Sequence, residues 1–229
     1  MRVARPVMKK IIKNKTFIAH KEKSQSKFTG GNALGLGWRP GQEEYEAEIE
    51  NCVIDGSGAG EGLKLSFCSN ITVSNCIIYG GYEDCVDIVR GSNICFNNCI
   101  FVSNNTKQHI TIKGGAKNIV FTGCEFRNNF KSIINGACVD LGNWTDYDDA
   151  VRPKTRSVKI INCKFNNITK KILSRVIYAE RPIVENSDGF VLKIPTFIVR
   201  LFWWGQRKGW LGKRRRMPKE WLEVYPHEL

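Results

Sequence analysis

Two kinds of residue in this chain could carry chemistry. The first is cysteine. Nine are present, and Cys52, Cys76, Cys99 and Cys124 stand 24, 23 and 25 residues apart. A structural zinc centre needs close ligand pairs that converge on a tetrahedron. Cys95 and Cys99 make one close pair, and no second pair matches it. The spacing therefore reads as a ladder of small buried side chains, one per repeat, with reduced thiols. Parallel Cβ vectors in such a ladder also give poor disulfide torsions. The second kind is tryptophan mixed with Lys and Arg: Trp203, Trp204, Arg207, Lys208, Trp210, then Arg214, Arg215, Arg216 and Trp221. That mixture suits nucleic acid, through phosphate contacts and stacking. It equally suits an acidic membrane surface or a protein partner, where Trp and Arg are favoured anchors. Phe202, Trp203 and Trp204 could instead cap an open end of a repeat stack.

The elements that position the cysteines follow from the phrase around each one. Ser69-Asn70-Ile71-Thr72-Val73-Ser74-Asn75-Cys76-Ile77-Ile78 recurs as Ser92 to Phe101 and as Lys117 to Phe126. Degenerate copies end at Asn51-Cys52-Val53-Ile54 and at Asn162-Cys163-Lys164-Phe165. A repeat near 23 residues with no room for a helix implies a solenoid. Alternating apolar residues before the Asn read as a short strand. Asn51, Asn75, Asn98, Gly123 and Asn162 share one position. Asn and Gly are the residues that enter the left-handed region at low cost, so this position is a corner. Stacked Asn amides there could hydrogen-bond along the rod. A second strand follows the corner. A third lies at Gly62–Leu65, Cys85–Ile88, His109–Ile112 and Cys138–Leu141. Three short strands per coil make a parallel β-helix, five to seven coils in all, rising about 4.8 Å per coil.

Charge divides the chain differently. The net charge is +13, of which residues 1–28 hold +8 and residues 196–229 hold +5, leaving the body neutral. The expected organisation is a basic arm with a Gly-rich lead-in over 1–45, a β-helix over 46–194 and an aromatic and basic arm over 195–229. Cationic ends on a neutral body are interaction arms. The partner-binding candidates are Arg2, Arg5, Lys9, Lys10 and Lys13 together with the C-terminal Trp, Arg and Lys residues named above. No secretory signal with a continuous apolar region is visible. No apolar run reaches the length of a membrane span.

The body resembles the pectate lyases and the wider pectate-lyase-like superfamily of right-handed parallel β-helices. Carrying the resemblance are Asp84-Cys85-Val86-Asp87-Ile88, Thr111-Ile112-Lys113-Gly114, Phe126 through Gly136, and Val158 through Asn167. In such lyases acidic residues on one sheet hold calcium, an arginine takes the proton beside a uronate carboxylate, and a lysine holds substrate. The resemblance places Asp84 and Asp87 at the first acidic pair and Lys131 at the substrate lysine. The second acidic pair is replaced by Lys107 and Thr111, and a lysine there repels calcium. The arginine segment is represented by Lys170 through Arg175, with only Arg175 keeping its type. A retained fold with lost chemistry is what these departures imply.

The sequence therefore points to an all-β, non-catalytic structural or adhesive protein, fastened by its basic ends into a larger assembly. A phage or virus particle is the expected setting, with a capsid or tail protein as partner, and synthesis in the host cytoplasm. No cofactor is expected. The alternative is a pectate-lyase-like polysaccharide lyase or depolymerase acting on an acidic glycan, with Ca²⁺ and the vestigial candidates Lys131, Lys170 and Arg175. Nucleic-acid binding through the arms is a third reading.

Overall fold

The computed structural model describes residues 9–19, 31–37, 46–57, 60–81, 83–103, 108–128, 138–142, 154–166, 168, 172–174, 179–187 and 192–193. They build three parallel sheets that share one core. The first sheet contains β1 (Lys9–Lys13), β4 (Glu46–Glu50), β7 (Ser69–Ser74), β10 (Ser92–Asn97), β13 (Lys117–Thr122), β16 (Arg156–Ile161) and β19 (Ile183–Glu185), in that spatial order. The second contains β2 (Thr16–Ile18), β5 (Val53–Asp55), β8 (Ile77–Tyr79), β11 (Ile100–Ser103), β14 (Glu125–Asn128) and β17 (Lys164–Asn166). The third contains β3 (Asn32–Leu36), β6 (Glu61–Ser66), β9 (Val86–Val89), β12 (Ile110–Lys113), β15 (Val139–Leu141), β18 (Ile172–Ser174) and β20 (Leu192–Lys193). Each strand pairs in parallel with its equivalents one coil before and after, which is the β-helix expected from the repeat.

The corner between the first and second sheets is left-handed at every copy. Its φ values are 53° at Asn51, 53° at Asn75, 52° at Asn98, 63° at Gly123 and 53° at Asn162. Two further copies belong to the series, Asn14 at 54° and Asn186 at 46°. Asn14 extends the rod into the segment expected to be an arm. The β-helix already includes residues from Lys9 on, and the 1–45 boundary is corrected accordingly: β1 pairs with β4, β2 with β5 and β3 with β6. The physical reason is the same alternation, since Ile12 is buried one coil below Ile49 and Asn14 turns the chain. Lys15 replaces the corner cysteine there, which hides the copy in the sequence.

The hydrogen-bonded amide ladder stands at a different position from the one expected. Asn93 Nδ2 donates to Asn70 Oδ1 at 3.1 Å, and Asn118 Nδ2 donates to Asn93 Oδ1 at 2.9 Å. These residues open the strands of the first sheet and are themselves left-handed, at 54° to 56°. The ladder ends on Glu46, whose Oε1 accepts from Asn70 Nδ2 at 2.9 Å.

Inward residues form one continuous core. Phe96 stacks on Phe121 at 4.9 Å between ring centroids, Phe101 on Phe126 at 5.0 Å and Phe126 on Phe165 at 5.0 Å. The corner cysteines are buried, and their thiols donate to main-chain carbonyls, as Cys76 Sγ does to Ser74 O at 3.2 Å. None of the nine cysteines is in a disulfide, and only Cys95 is not buried. Among the described residues no helix is long and apolar enough to cross a membrane.

Candidate functional site

The third sheet is unlike the other two, because several of its outward residues are polar or ionisable and yet buried. The register puts Lys64, Asp87, Thr111 and Asp140 side by side on β6, β9, β12 and β15. They alternate with inward residues such as Leu63, Leu65, Val86 and Ile88, so strand periodicity alone turns them outward. Asp87 is 1 % exposed, Thr111 1 % and Asp140 3 %, and Glu61 and Asp84 beside them are each 5 % exposed.

A chain of ion pairs neutralises this face. Lys64 Nζ lies 2.9 Å from Glu61 Oε1 and also bonds Asp87 Oδ2. On the other side Lys113 Nζ lies 3.2 Å from Asp87 Oδ1, as an ion pair rather than an aligned hydrogen bond. Burial works against the Asp87 charge, but Lys113 and Lys64 outweigh it and hold the carboxyl below the usual range. Asp84 goes the other way. Burial and the neighbouring Asp87 charge hold it well above the carboxylate range, although a hydrogen bond with Thr111 opposes them. Burial and Asp87 together push Glu61 up to about 7, against the pull of Lys64. Gln108 Nε2 donates to Thr111 Oγ1 at 3.2 Å and closes the row.

Neighbouring acids whose pKa values are pushed in opposite directions are a common mark of acid–base chemistry. Here Asp84 could give a proton and Asp87 could stabilise positive charge. Both are closed from solvent, and both Asp87 oxygens face ammonium groups. The residues do not fit calcium, which takes six to eight oxygen ligands in place of cationic neighbours. Asp84 and Asp87 do stand together as the resemblance implied. Lys107, Lys131, Lys170 and Arg175 lie outside the described residues, as do Arg2, Arg5 and the C-terminal candidates from Trp203 to Trp221.

Lys9, Lys10 and Lys13 fall in β1 rather than on an arm, and this changes their role. Lys9 Nζ is 2.5 Å from Glu48 Oε1, and Lys13 Nζ is 2.7 Å from Glu50 Oε2. Two of the three proposed partner contacts are thus ion pairs within the first coils. Missed from the sequence were Glu61, Lys64, Lys113 and Asp140. Aligning Leu63-Lys64-Leu65 with Val86-Asp87-Ile88 and Val139-Asp140-Leu141 would have put two of them, Lys64 and Asp140, in one row with Asp87.

A buried histidine sits behind this face. His109 is fully buried and its Nε2–H donates to Arg127 O at 2.7 Å, while Nδ1 has no partner. Burial pulls it down to about 4. A depressed histidine contributes stability above its unfolded value of about 6.5 and loses it as pH falls through about 4. Relative to a His109→Gln variant, the wild type is expected to lose about 3 kcal/mol between pH 6.5 and pH 4. Urea unfolding of both proteins across that range measures the difference, and a gap that does not change with pH would contradict it.

The comparisons with known proteins bear on the scaffold. The family described as right handed beta helix region matches residues 10–148. No curated protein matches the sequence. Among solved structures, the A-module of the mannuronan C-5 epimerase AlgE4 of Azotobacter vinelandii is similar at 14 % identity and a TM-score of 0.49. That alignment covers 82 % of this chain and 56 % of the epimerase module, so the chain spans little more than half of it. The three-sheet parallel solenoid fits the pectate-lyase-like superfamily that the sequence resembles. With the match covering well over half of its length, the chain belongs to the right-handed β-helix family.

Proposed function

We propose that this chain is a non-catalytic β-helix scaffold that takes its place in a larger assembly, a phage or virus particle being the setting that suits it. The observation that carries the reading is the state of Asp87, whose two oxygens are held by Lys64 and Lys113 on a buried face. An acid arranged in this way locks neighbouring coils together and is not available to a metal or a sugar. The cationic ends supply the attachment, now drawn from residues before Lys9 and after 195 rather than from β1. The test is fractionation of the protein from its native source. The full chain is expected to travel with a multi-protein particle, and a version lacking residues 1–8 and 196–229 to be lost from it.

A second reading is supported by the opposite directions in which burial and neighbouring charges push Asp84 and Asp87, and by the β-helix family itself. In that reading the chain modifies an acidic polysaccharide, as a lyase or depolymerase. Incubation with polygalacturonate and alginate, with and without Ca²⁺, distinguishes the two. Ultraviolet absorbance from unsaturated uronate ends, or newly formed reducing ends, would replace the scaffold reading with the enzymatic one.

A further inference from the structure

We propose that the outer face of the first sheet is the contact surface of a two-fold dimer of this chain, with the two rods antiparallel and Cys95 facing Cys95. The proposal begins from one row of side chains across all seven strands. Ile11 is level with Glu48, Glu48 with Thr72, and Thr72 with Cys95. Cys95 is in turn level with Val120, Val120 with Lys159, and Lys159 with Ile183. Cys95 lies on β10, the middle strand of the seven.

That row is complementary to its own reverse. A two-fold axis parallel to β10 keeps each residue in its row and exchanges the two ends of the rod. Glu48 then meets Lys159 of the second copy, and Thr72 meets Val120. Ile11 meets Ile183. Those two are 61 % and 48 % exposed, and they are two of the three large apolar side chains exposed among the described residues. Burying them together removes both from water. The row through Asn97 agrees. Lys13 meets Glu185 and Asn97 meets Asn97. Each pairing off the axis occurs twice, as an isologous interface requires, and the Cys95 and Asn97 self-contacts occur once.

The centre of the face is suited to close packing. Thr72, Ser74, Cys95, Asn97, Val120 and Thr122 are small, uncharged and half-exposed. Two such sheets pack about 10 Å apart. The charges stand toward the ends, where Glu48 and Glu50 already pair with Lys9 and Lys13. Lys159 of the second copy would join Glu48 in a three-membered network, and it sets the register more than the affinity. Seven strands spaced about 4.8 Å apart and about 17 Å long give a footprint on the order of 500 Å² per copy. A standard interface buries about 800 Å² per partner, so this dimer is weak and concentration-dependent.

Cys95 provides the test, because the other eight cysteines are buried. A short bismaleimide added to the full chain is expected to give a covalent dimer whose yield rises with protein concentration. Cys95→Ser abolishes it. Lys159→Glu sets acid against acid twice per dimer and is expected to weaken Kd roughly tenfold, read by sedimentation equilibrium. Glu48→Lys combined with Lys159→Glu restores the dimer, and far-ultraviolet circular dichroism shows that each variant keeps the strands. The proposal is overturned by a chain that stays monomeric. It is also overturned if the cross-link is no stronger than one through Lys164→Cys, on the second sheet, in a Cys95→Ser background. Dimerisation that ignores Lys159→Glu would place the contact elsewhere. A monomer whose Cys95 is shielded from maleimide by added polysaccharide would put a glycan on the face instead.

Discussion

Lys64→Met is expected to lower the free energy of unfolding by about 3 kcal/mol at pH 8, because it leaves a buried carboxylate short of a partner. Asp87 is 1 % exposed and holds Lys64 on one oxygen and Lys113 on the other. Methionine keeps most of the lysine stem and removes the charge. The deficit should shrink as the solution is acidified. Glu61 already titrates near 7, and without Lys64 both Glu61 and Asp87 are pushed upward. An acid whose folded value is raised is stabilising below its unfolded value and loses that stability as pH rises through the folded one. The variant therefore recovers toward pH 5. Adding Asp87→Asn in the same background should restore most of the loss, since the uncompensated charge is then gone. Urea unfolding of the three proteins at pH 5 and pH 8 measures each step. A loss below about 0.5 kcal/mol at both values would mean that the cluster behaves as a solvated surface arrangement.

The second large effect belongs to the aromatic stack. Phe126→Ala is expected to cost about 3–5 kcal/mol, the range for truncating a buried phenylalanine in a core that cannot collapse. Phe126 is fully buried between Phe101 and Phe165, each 5.0 Å away between centroids, and the edge of His109 meets it at 6.0 Å. Both ring neighbours lie one coil away, so the cavity opens between three coils at once. Coils of a solenoid contact only their neighbours, and the damage should be local. Hydrogen exchange is expected to rise across β11, β14 and β17 while β4 and β5 keep their protection. Uniform loss of protection along the whole rod would show that it unfolds as one unit.

The two predictions bear on the proposed function from different sides. The aromatic stack is needed by any β-helix, whatever it does. The Lys64–Asp87–Lys113 chain is needed only if the third sheet is a structural face. An enzyme using Asp87 would tolerate Asp87→Asn in stability and lose its activity. A scaffold would lose stability on the same substitution.

The sequence by itself determined the coil. Apolar alternation around Ile71 and Val73, the fixed Asn75 and the buried Cys76 are local rules repeated at a short period, so strands, corners and core could be read directly. It also placed Asp84 and Asp87 together, since both lie in one strand region of one coil. Tertiary structure decided what no single coil contains. Asn14 and Asn186 are corners like Asn75, but Lys15 and Ser187 stand where the ladder has cysteine, and only pairing with neighbouring strands reveals them. The roles of Lys9 and Lys13 likewise depend on Glu48 and Glu50, which lie more than 35 residues further along the chain. The same holds for Asp87. Its charge and burial are set by Lys64 one coil below and Lys113 one coil above. Period and polarity fix where a side chain points, and stacking of coils fixes which charges it meets.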